Sequence, residues 1–584
     1  MKMSLFISKA ALAGLMSLSV GSADGQTYIQ HVSVIDVIRH RVLPDQTIVI
    51  RGEKIASVTP SGQTKVRQGS SVINARGQFL LPGLTDAHVH FTQSGGLYAR
   101  PDFFDLRAFH PYQREIEWGH QHMGELLRRY LRAGITTVID PGANYSYLQQ
   151  RNFFKQNNTA PTIFMANRLI TTFIPAEYKD LREEDQFFDL ITNKDQAAEI
   201  VQKQLIYQPD FIKIWYIVDS KNPEESAKKL YPLVKAVITE AHLHHVRVAV
   251  HALERIAAQF SVEAGCDFLV HEVNDEVVTP EFIQLVKTHH VVVCPTLQVM
   301  VGYAQTMRHN NHFSTYELKY ADPVQIGSLT DWNQFTDTAI LNHNHSDSAT
   351  DAYFARMDSL GKVNLKRMTD AGVIIAAGTD AGNTGTMHAT SLFTELLAMH
   401  GTGMSNWQVL ESATINGAKT VAKDNYFGSI TPGKVADLVL LNANPVSSLE
   451  NLKNIRLVFH RGRAILPDTL VKDSSISLVQ RHINGYNFKN SDAYVEFCDR
   501  HVTIINAARH IISRSKDELK KIAVAEFNRH PGFHRQLLSE IRAGDFIITR
   551  QVVFENNKKI SERTIKYEIL HNKIKKIFLL ADKQ

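Results

Sequence analysis

The 584-residue chain holds three cysteines, Cys266, Cys294 and Cys498, too few and too far apart for a disulfide framework. Cys266 and Cys294 border apolar strand-like runs and read as small core residues rather than ligands or nucleophiles. Past the N-terminus no apolar run approaches the ~18 residues that cross a bilayer, so no membrane span is expected. A strong charge of one sign is missing as well. The net charge is +5, and the surplus sits in residues 473–584, with 20 Lys and Arg against 13 Asp and Glu, while the other 472 residues carry 44 against 46. Those C-terminal charges are scattered and not interleaved with aromatics, so they read as solvated surface and argue against a nucleic-acid partner.

The exception to the missing apolar runs lies at the start. Lys2 and Lys9 precede an apolar stretch over residues 10–20, followed by Gly21-Ser22-Ala23. That is the pattern of a secretory signal peptide over residues 1–25, cleaved after Ala23 or Gly25, and it predicts an exported, periplasmic or secreted protein.

The most informative stretch is Leu80-Leu81-Pro82-Gly83-Leu84-Thr85-Asp86-Ala87-His88-Val89-His90. Side chains alternate across a strand, so His88 and His90 face one way and can share a divalent ion such as zinc. Apolar runs then recur at residues 79–90, 136–141, 162–166, 211–216, 247–252, 268–273, 291–297 and 373–380, each followed by a helical pattern. Eight such runs predict an α/β fold with a (β/α)8 barrel over residues 79–423. Lys213, His251, His271 and Asp380 come late in, or at the end of, such runs. In a barrel these ends form the active-site mouth, and charges collected there are costly unless paired or metal-bound.

Around that region, β-rich runs at residues 28–34, 46–51 and 54–58 match others at 436–441 and 456–465. The expectation is a small composite β-domain from residues 26–78 and 424–470. Residues 473–584 place amphipathic patterns first and strand-like runs last, which predicts an α+β unit. The segment from Gly302 to Thr350 is polar and holds His309, His312, His343 and His345; it reads as a solvated lid loop.

The order His-x-His, Lys, His, His, Asp resembles the amidohydrolase superfamily, as do Ala133-Gly134-Ile135-Thr136-Thr137-Val138, Gly378-Thr379-Asp380-Ala381-Gly382 and Pro432-Gly433-Lys434-Val435-Ala436-Asp437-Leu438. Within it the spacing looks most like the imidazolonepropionase-related and Xaa-Pro dipeptidase branch. The resemblance implies two divalent ions, zinc by preference: one on His88, His90 and Asp380, one on His251 and His271. Lys213, carboxylated by carbon dioxide, would bridge them. It further implies attack by a bridging hydroxide on a dipeptide or N-acyl amino acid, with Asp380 as proton shuttle and Tyr216 and His388 as candidate substrate-binding residues. Two alternatives stay open: a one-metal imidazolonepropionase-like or deaminase-like aminohydrolase of cyclic substrates, with Lys213 a charge behind the ligands, and a degenerate barrel that binds a ligand without turnover. Ile483-Asn484-Gly485-Tyr486-Asn487 and Gly544-Asp545-Phe546-Ile547-Ile548 resemble the SnoaL-like branch of the nuclear transport factor 2-like fold, a cone-shaped module. This implies a docking or homo-oligomerising appendage rather than a second enzyme.

Overall fold

The computed structural model describes residues 25–335 and 346–580. Nearly all of the expected signal peptide, together with His343 and His345, lies outside the described residues. Phe79–Pro82 is the hinge of the architecture. It pairs in parallel with Gln26–Asp36 (Ser33 opposite Phe79) and antiparallel with Leu438–Leu441 (Pro82 opposite Leu438). The N-terminal strands and the strands after residue 437 therefore form one eight-stranded sheet through it. Isoleucines and leucines of both parts, among them Ile29, Ile48, Leu80, Leu438 and Leu440, share one core under that sheet.

The run at residues 79–90 is not one strand. After Gly83 the chain leaves the eight-stranded sheet, and Leu84–Asp86 starts a parallel sheet with Ile135–Asp140 and Thr162–Met165. Gly83 permits the change because Thr136 occupies the space a Cβ would need; its amide donates to Asp437 O at 2.8 Å.

A second, six-stranded sheet is parallel throughout, ordered Phe188–Leu190, Leu169–Thr171, Ile212–Trp215, Val248–His251, Phe268–Val270 and Val292–Cys294. Phe188–Leu190 and Leu169–Thr171 were not visible as separate strands in the sequence. The expected strand at residues 373–380 forms only isolated bridges, yet it hydrogen-bonds on both sides: Val293 N donates to Ile374 O and Ala87 N to Ala377 O, each at 2.9 Å. Ala87, Ile139, Ala166, Phe211, Ala249, Phe268, Val292 and Ala376 form one buried cluster, so both parallel sheets contribute to a common interior.

The expectation of a solvated loop at 302–350 is overturned for its described part. Leu297–Met307, Thr315–Tyr320, Pro323–Ser328 and Ser348–Asp370 are helices, and Val299, Tyr303, Leu318, Ile326, Trp332 and Phe354 pack with Leu97 and Phe104. The polar residues are largely helix caps. Ser314 and Glu317 make a reciprocal capping box, and Asp322 and Asp347 accept from first-turn amides. His309 stacks on Trp332 at 4.5 Å.

Residues beyond 473 form helices Ser475–Asn487, Ser491–Val495 and Lys516–Arg529 against a six-stranded sheet running from Ile511–Ser513 to Phe533–Ala543. A strand, Cys498–Ile505, already follows the second helix, earlier than the helices-then-strands pattern predicts. The unit is seated on the helices after residue 314. Buried Arg481 donates to Leu318 O at 3.1 Å and Ala321 O at 2.8 Å, and Asn484 to Pro323 O at 2.7 Å. All three cysteines are free and buried, and no helix among the described residues is long and apolar enough to cross a membrane.

Candidate metal centre and its pocket

His88, His90, Lys213, His251, His271 and Asp380 line one cavity of about 310 Å3. His88, His90 and His271 reach it from just past parallel strands, His251 from the last residue of its strand, Lys213 from within Ile212–Trp215 and Asp380 from the end of residues 373–380, where backbone direction brings sequence-distant side chains together. Three ligand atoms converge. His88 Nε2 and His90 Nε2 are 3.0 Å apart, and Asp380 Oδ1 lies 3.3 Å from the first and 3.1 Å from the second. A zinc ion with bonds of ~2.0–2.1 Å sets neighbouring tetrahedral ligands about 3.3 Å apart, so the donor set fits such an ion. Asp380 Oδ1 is buried without an aligned hydrogen-bond donor, a costly arrangement unless a cation meets it.

The other nitrogen of each ring is treated differently. His90 Nδ1 donates to Gly142 O at 3.2 Å, which leaves Nε2 free to ligate. Asp140 holds that loop: Oδ1 accepts from Gly142 N and Oδ2 from Phe91 N, both at 3.0 Å. His271 Nδ1 is 2.7 Å from Thr296 Oγ1, and its ring meets that of His251 edge-on at 4.4 Å. His251 Nε2 is buried and unpartnered. His271, Thr296 and Asp380 all have left-handed backbone, with φ of 76°, 54° and 60°. Such conformations cost non-glycine residues about 1–3 kcal/mol each and concentrate at functional sites.

Burial drives the electrostatics. It holds His88, His251 and His271 well below the usual histidine range, with neighbouring Lys213 or imidazoles adding to the effect, so they are neutral, ligand-competent imidazoles. At His90 burial is outweighed by Asp140 and Asp380, which raise it to about 9, so an ion binding at Nε2 displaces a proton there. Burial also opposes ionisation of Asp380, but the His90 imidazole wins and lowers it to about 2. Burial lowers Lys213 to about 8, within reach of the uncharged amine that adds to carbon dioxide.

Tyr216 and His388 do not line the cavity. Tyr216 follows Trp215 and so points to the opposite side of the chain; its hydroxyl donates to Ala227 O at 2.6 Å in the core. His388 donates from Nε2 to Gln93 O at 2.8 Å, accepts from Tyr130 at Nδ1 and stacks on Phe91. Both side chains are committed to structural hydrogen bonds. Glu272 is buried against Gly361, outside the cavity lining.

Sequence reasoning missed the residues beside the centre. Arg100, Asp102, Tyr303 and Asn383 line the cavity but come from loops and a helix with no periodic signal. Asp140 was findable, because it closes Ile135-Thr136-Thr137-Val138-Ile139-Asp140 as Asp380 closes its own run.

Cys294 is buried outside the cavity lining, with its thiol held far above the usual range by burial, so it is no nucleophile for this pocket. What the donor set serves is attack by water on a polarised carbon, the chemistry of a hydrolase. The comparison with known proteins narrows this to one family. Residues 79–465 match the amidohydrolase family, about two thirds of the chain, and the chain belongs to that family and is a hydrolase of carbon–nitrogen bonds. Imidazolonepropionase of Chloroflexus aggregans is 24% identical over 433 residues, covering 69% of this chain and 86% of that one. The crystal structure of a Xaa-Pro dipeptidase with bound methionine aligns with a TM-score of 0.59 at 22% identity, over 76% of this chain and 100% of that one. A putative prolidase from Bifidobacterium longum aligns with a TM-score of 0.55 at 22% identity, over 76% and 98%. These structural likenesses speak for the fold.

Proposed function

We propose that the chain is an exported, metal-dependent hydrolase that cleaves the amide-like C–N bond joining an acyl group to a small amine; a dipeptide or N-acyl amino acid meets that description, and so does its uncharged amide. The observation that carries this is the convergence of His88 Nε2, His90 Nε2 and Asp380 Oδ1 within 3.3 Å, with an orphaned carboxylate oxygen among them. In this reading the two parallel sheets and residues 373–381 are arcs of one closed (β/α)8 barrel. The eight-stranded sheet is then a separate composite β-domain, and residues 473–584 are a SnoaL-like docking module.

His88, His90 and Asp380 would hold one divalent ion, His251 and His271 a second, with carboxylated Lys213 between. Ions so held, zinc by preference, would supply an acidified water and a polarised carbonyl. Asp380, ionised at neutral pH, takes the proton of the attacking water and delivers it to the leaving nitrogen. Asp140 and Thr296 keep His90 and His271 in their ligating orientation.

A one-metal aminohydrolase is the second reading. It is favoured by the fact that, among the described residues, the tight donor cluster contains only His88, His90 and Asp380. Elemental analysis of the purified protein together with the dependence of its activity on bicarbonate during metal loading separates the two. Two ions and a bicarbonate requirement support the binuclear hydrolase; one ion and indifference to bicarbonate support the aminohydrolase.

A further inference from the structure

Resting on the hydrolase reading, a narrower statement follows from the cavity walls. We propose that the site selects an uncharged substrate with a bulky aromatic acyl group, in preference to one bearing a free carboxylate. The cavity is faced by Phe103, Phe187, Phe188, Trp215, Met300 and Phe354. Trp215 stacks on Phe188 at 5.3 Å, and Phe103 on Tyr303 at 4.3 Å. These stacked pairs offer flat, apolar faces that suit a ring.

The cation that would greet a carboxylate is already committed. Arg100 grips Asp102 through both arms, Nε to Oδ1 at 2.8 Å and Nη2 to Oδ2 at 2.6 Å, and its Nη1 donates to Tyr303 Oη at 2.7 Å and to Asn383 Oδ1. Asp102 is further held by the Tyr178 hydroxyl at 2.6 Å. Recruiting Arg100 to a substrate would strand a buried anion, a penalty no exposed pair carries. Among the described residues facing the cavity, the remaining amine is Lys213, which sits among the ligands. A free carboxylate held beyond the metal ligands meets Asp102 and, among the described residues, no uncommitted side-chain cation, whereas a neutral aromatic amide meets walls that match it. In the reaction the C–N bond breaks, the water oxygen joins the acyl carbon, and its proton goes to the leaving nitrogen.

The test crosses the two variables. N-phenylacetylglycinamide, N-phenylacetylglycine, N-acetylglycinamide and N-acetylglycine are offered to the metal-loaded full-length protein and kcat/KM is measured. The phenyl group is expected to raise kcat/KM roughly tenfold to a hundredfold, the gain from burying one aromatic ring, and each glycinamide to match or exceed its glycine. No gain from the phenyl group, or a preference for the free acids, overturns the proposal. The ketone isosteres 4-oxo-5-phenylpentanamide, 4-oxo-5-phenylpentanoate, 4-oxopentanamide and 4-oxopentanoate, which cannot be hydrolysed, are titrated calorimetrically in parallel. Absent turnover with the same binding order retained, the hydrolase reading fails and the selectivity stands; if the isosteres lose the order, the selectivity fails. Phe188→Ala and Met300→Ala, checked for folding by circular dichroism, are each expected to remove most of the phenyl preference. A folded variant of either kind that keeps it in full counts against the proposal.

Discussion

Asp140 is buried outside the cavity lining and is placed to hold a ligand still, so Asp140→Asn isolates that role. In the native chain its two oxygens accept one backbone N–H each, from Phe91 and from Gly142, at 3.0 Å. Its Oδ1 also lies 3.6 Å from His90 Nδ1. Asparagine offers one oxygen, and its amide nitrogen must then face an N–H group in a fully buried position. An unsatisfied buried donor costs about 1–3 kcal/mol. The loop that carries the His90 partner Gly142 O is released to the same extent. A change of that size at the partner of a metal-binding histidine typically lowers metal affinity about 10- to 100-fold, which is about 1.4–2.8 kcal/mol, so the two estimates agree. The assay is chelator competition on the purified full-length protein, with ion retention read by elemental analysis and folding by circular dichroism. Retention equal to wild type in a folded variant would refute the argument that Asp140 and Gly142 hold His90 for an ion.

Three further perturbations probe the fold around the site. Arg481→Met removes the side chain that donates to Leu318 O and Ala321 O and leaves Asp473 unpaired; it should lower stability by about 3–5 kcal/mol, seen as a lower Tm, and adding Asp473→Asn should recover part of the loss. Gly83→Ala drives a methyl group into Thr136 at the point where the chain changes sheets, and overpacking of this kind costs about 1–3 kcal/mol or more; a urea midpoint equal to wild type would contradict the close approach. Glu395 is raised from 4.5 to about 8 by burial, so the folded chain keeps a proton that the unfolded chain has lost. Its contribution is therefore fully present below about pH 4.5 and is lost as pH rises towards 8. Urea midpoints at pH 5 and pH 8 should fall less steeply in Glu395→Gln than in wild type, and equal slopes would remove Glu395 from the account.

What was legible in the sequence follows from which features are local. A parallel strand buried on both faces is a short apolar run, and a polar residue at its end stands out because the run cannot tolerate it elsewhere. That contrast marked His88, His90, Lys213, His251, His271 and Asp380, all of which face one cavity. It could not mark Arg100, Asp102 or Asn383, whose roles arise from pairings across 2 to 283 positions of chain with no period to reveal them. It misled at Tyr216, since one step along the chain turns a side chain to the other face, and at residues 79–90, since an apolar run does not say which sheet it joins. The lid shows the same limit from the other side. Its polarity and its histidines made the segment look solvated, yet Ser314, Glu317 and Asp322 serve as helix caps, and the neighbouring Leu318 and Ile326 are buried with Trp332. Those lid helices supply Val299, Met300, Tyr303 and Phe354 to the cavity and Leu318 O and Ala321 O to Arg481. The selectivity of the pocket and the seating of the C-terminal unit therefore depend on one segment. A change that loosens the Arg481 contact should widen substrate choice, measured as a smaller phenyl preference in kcat/KM, before it abolishes turnover; loss of turnover with the preference intact would show that the two are uncoupled.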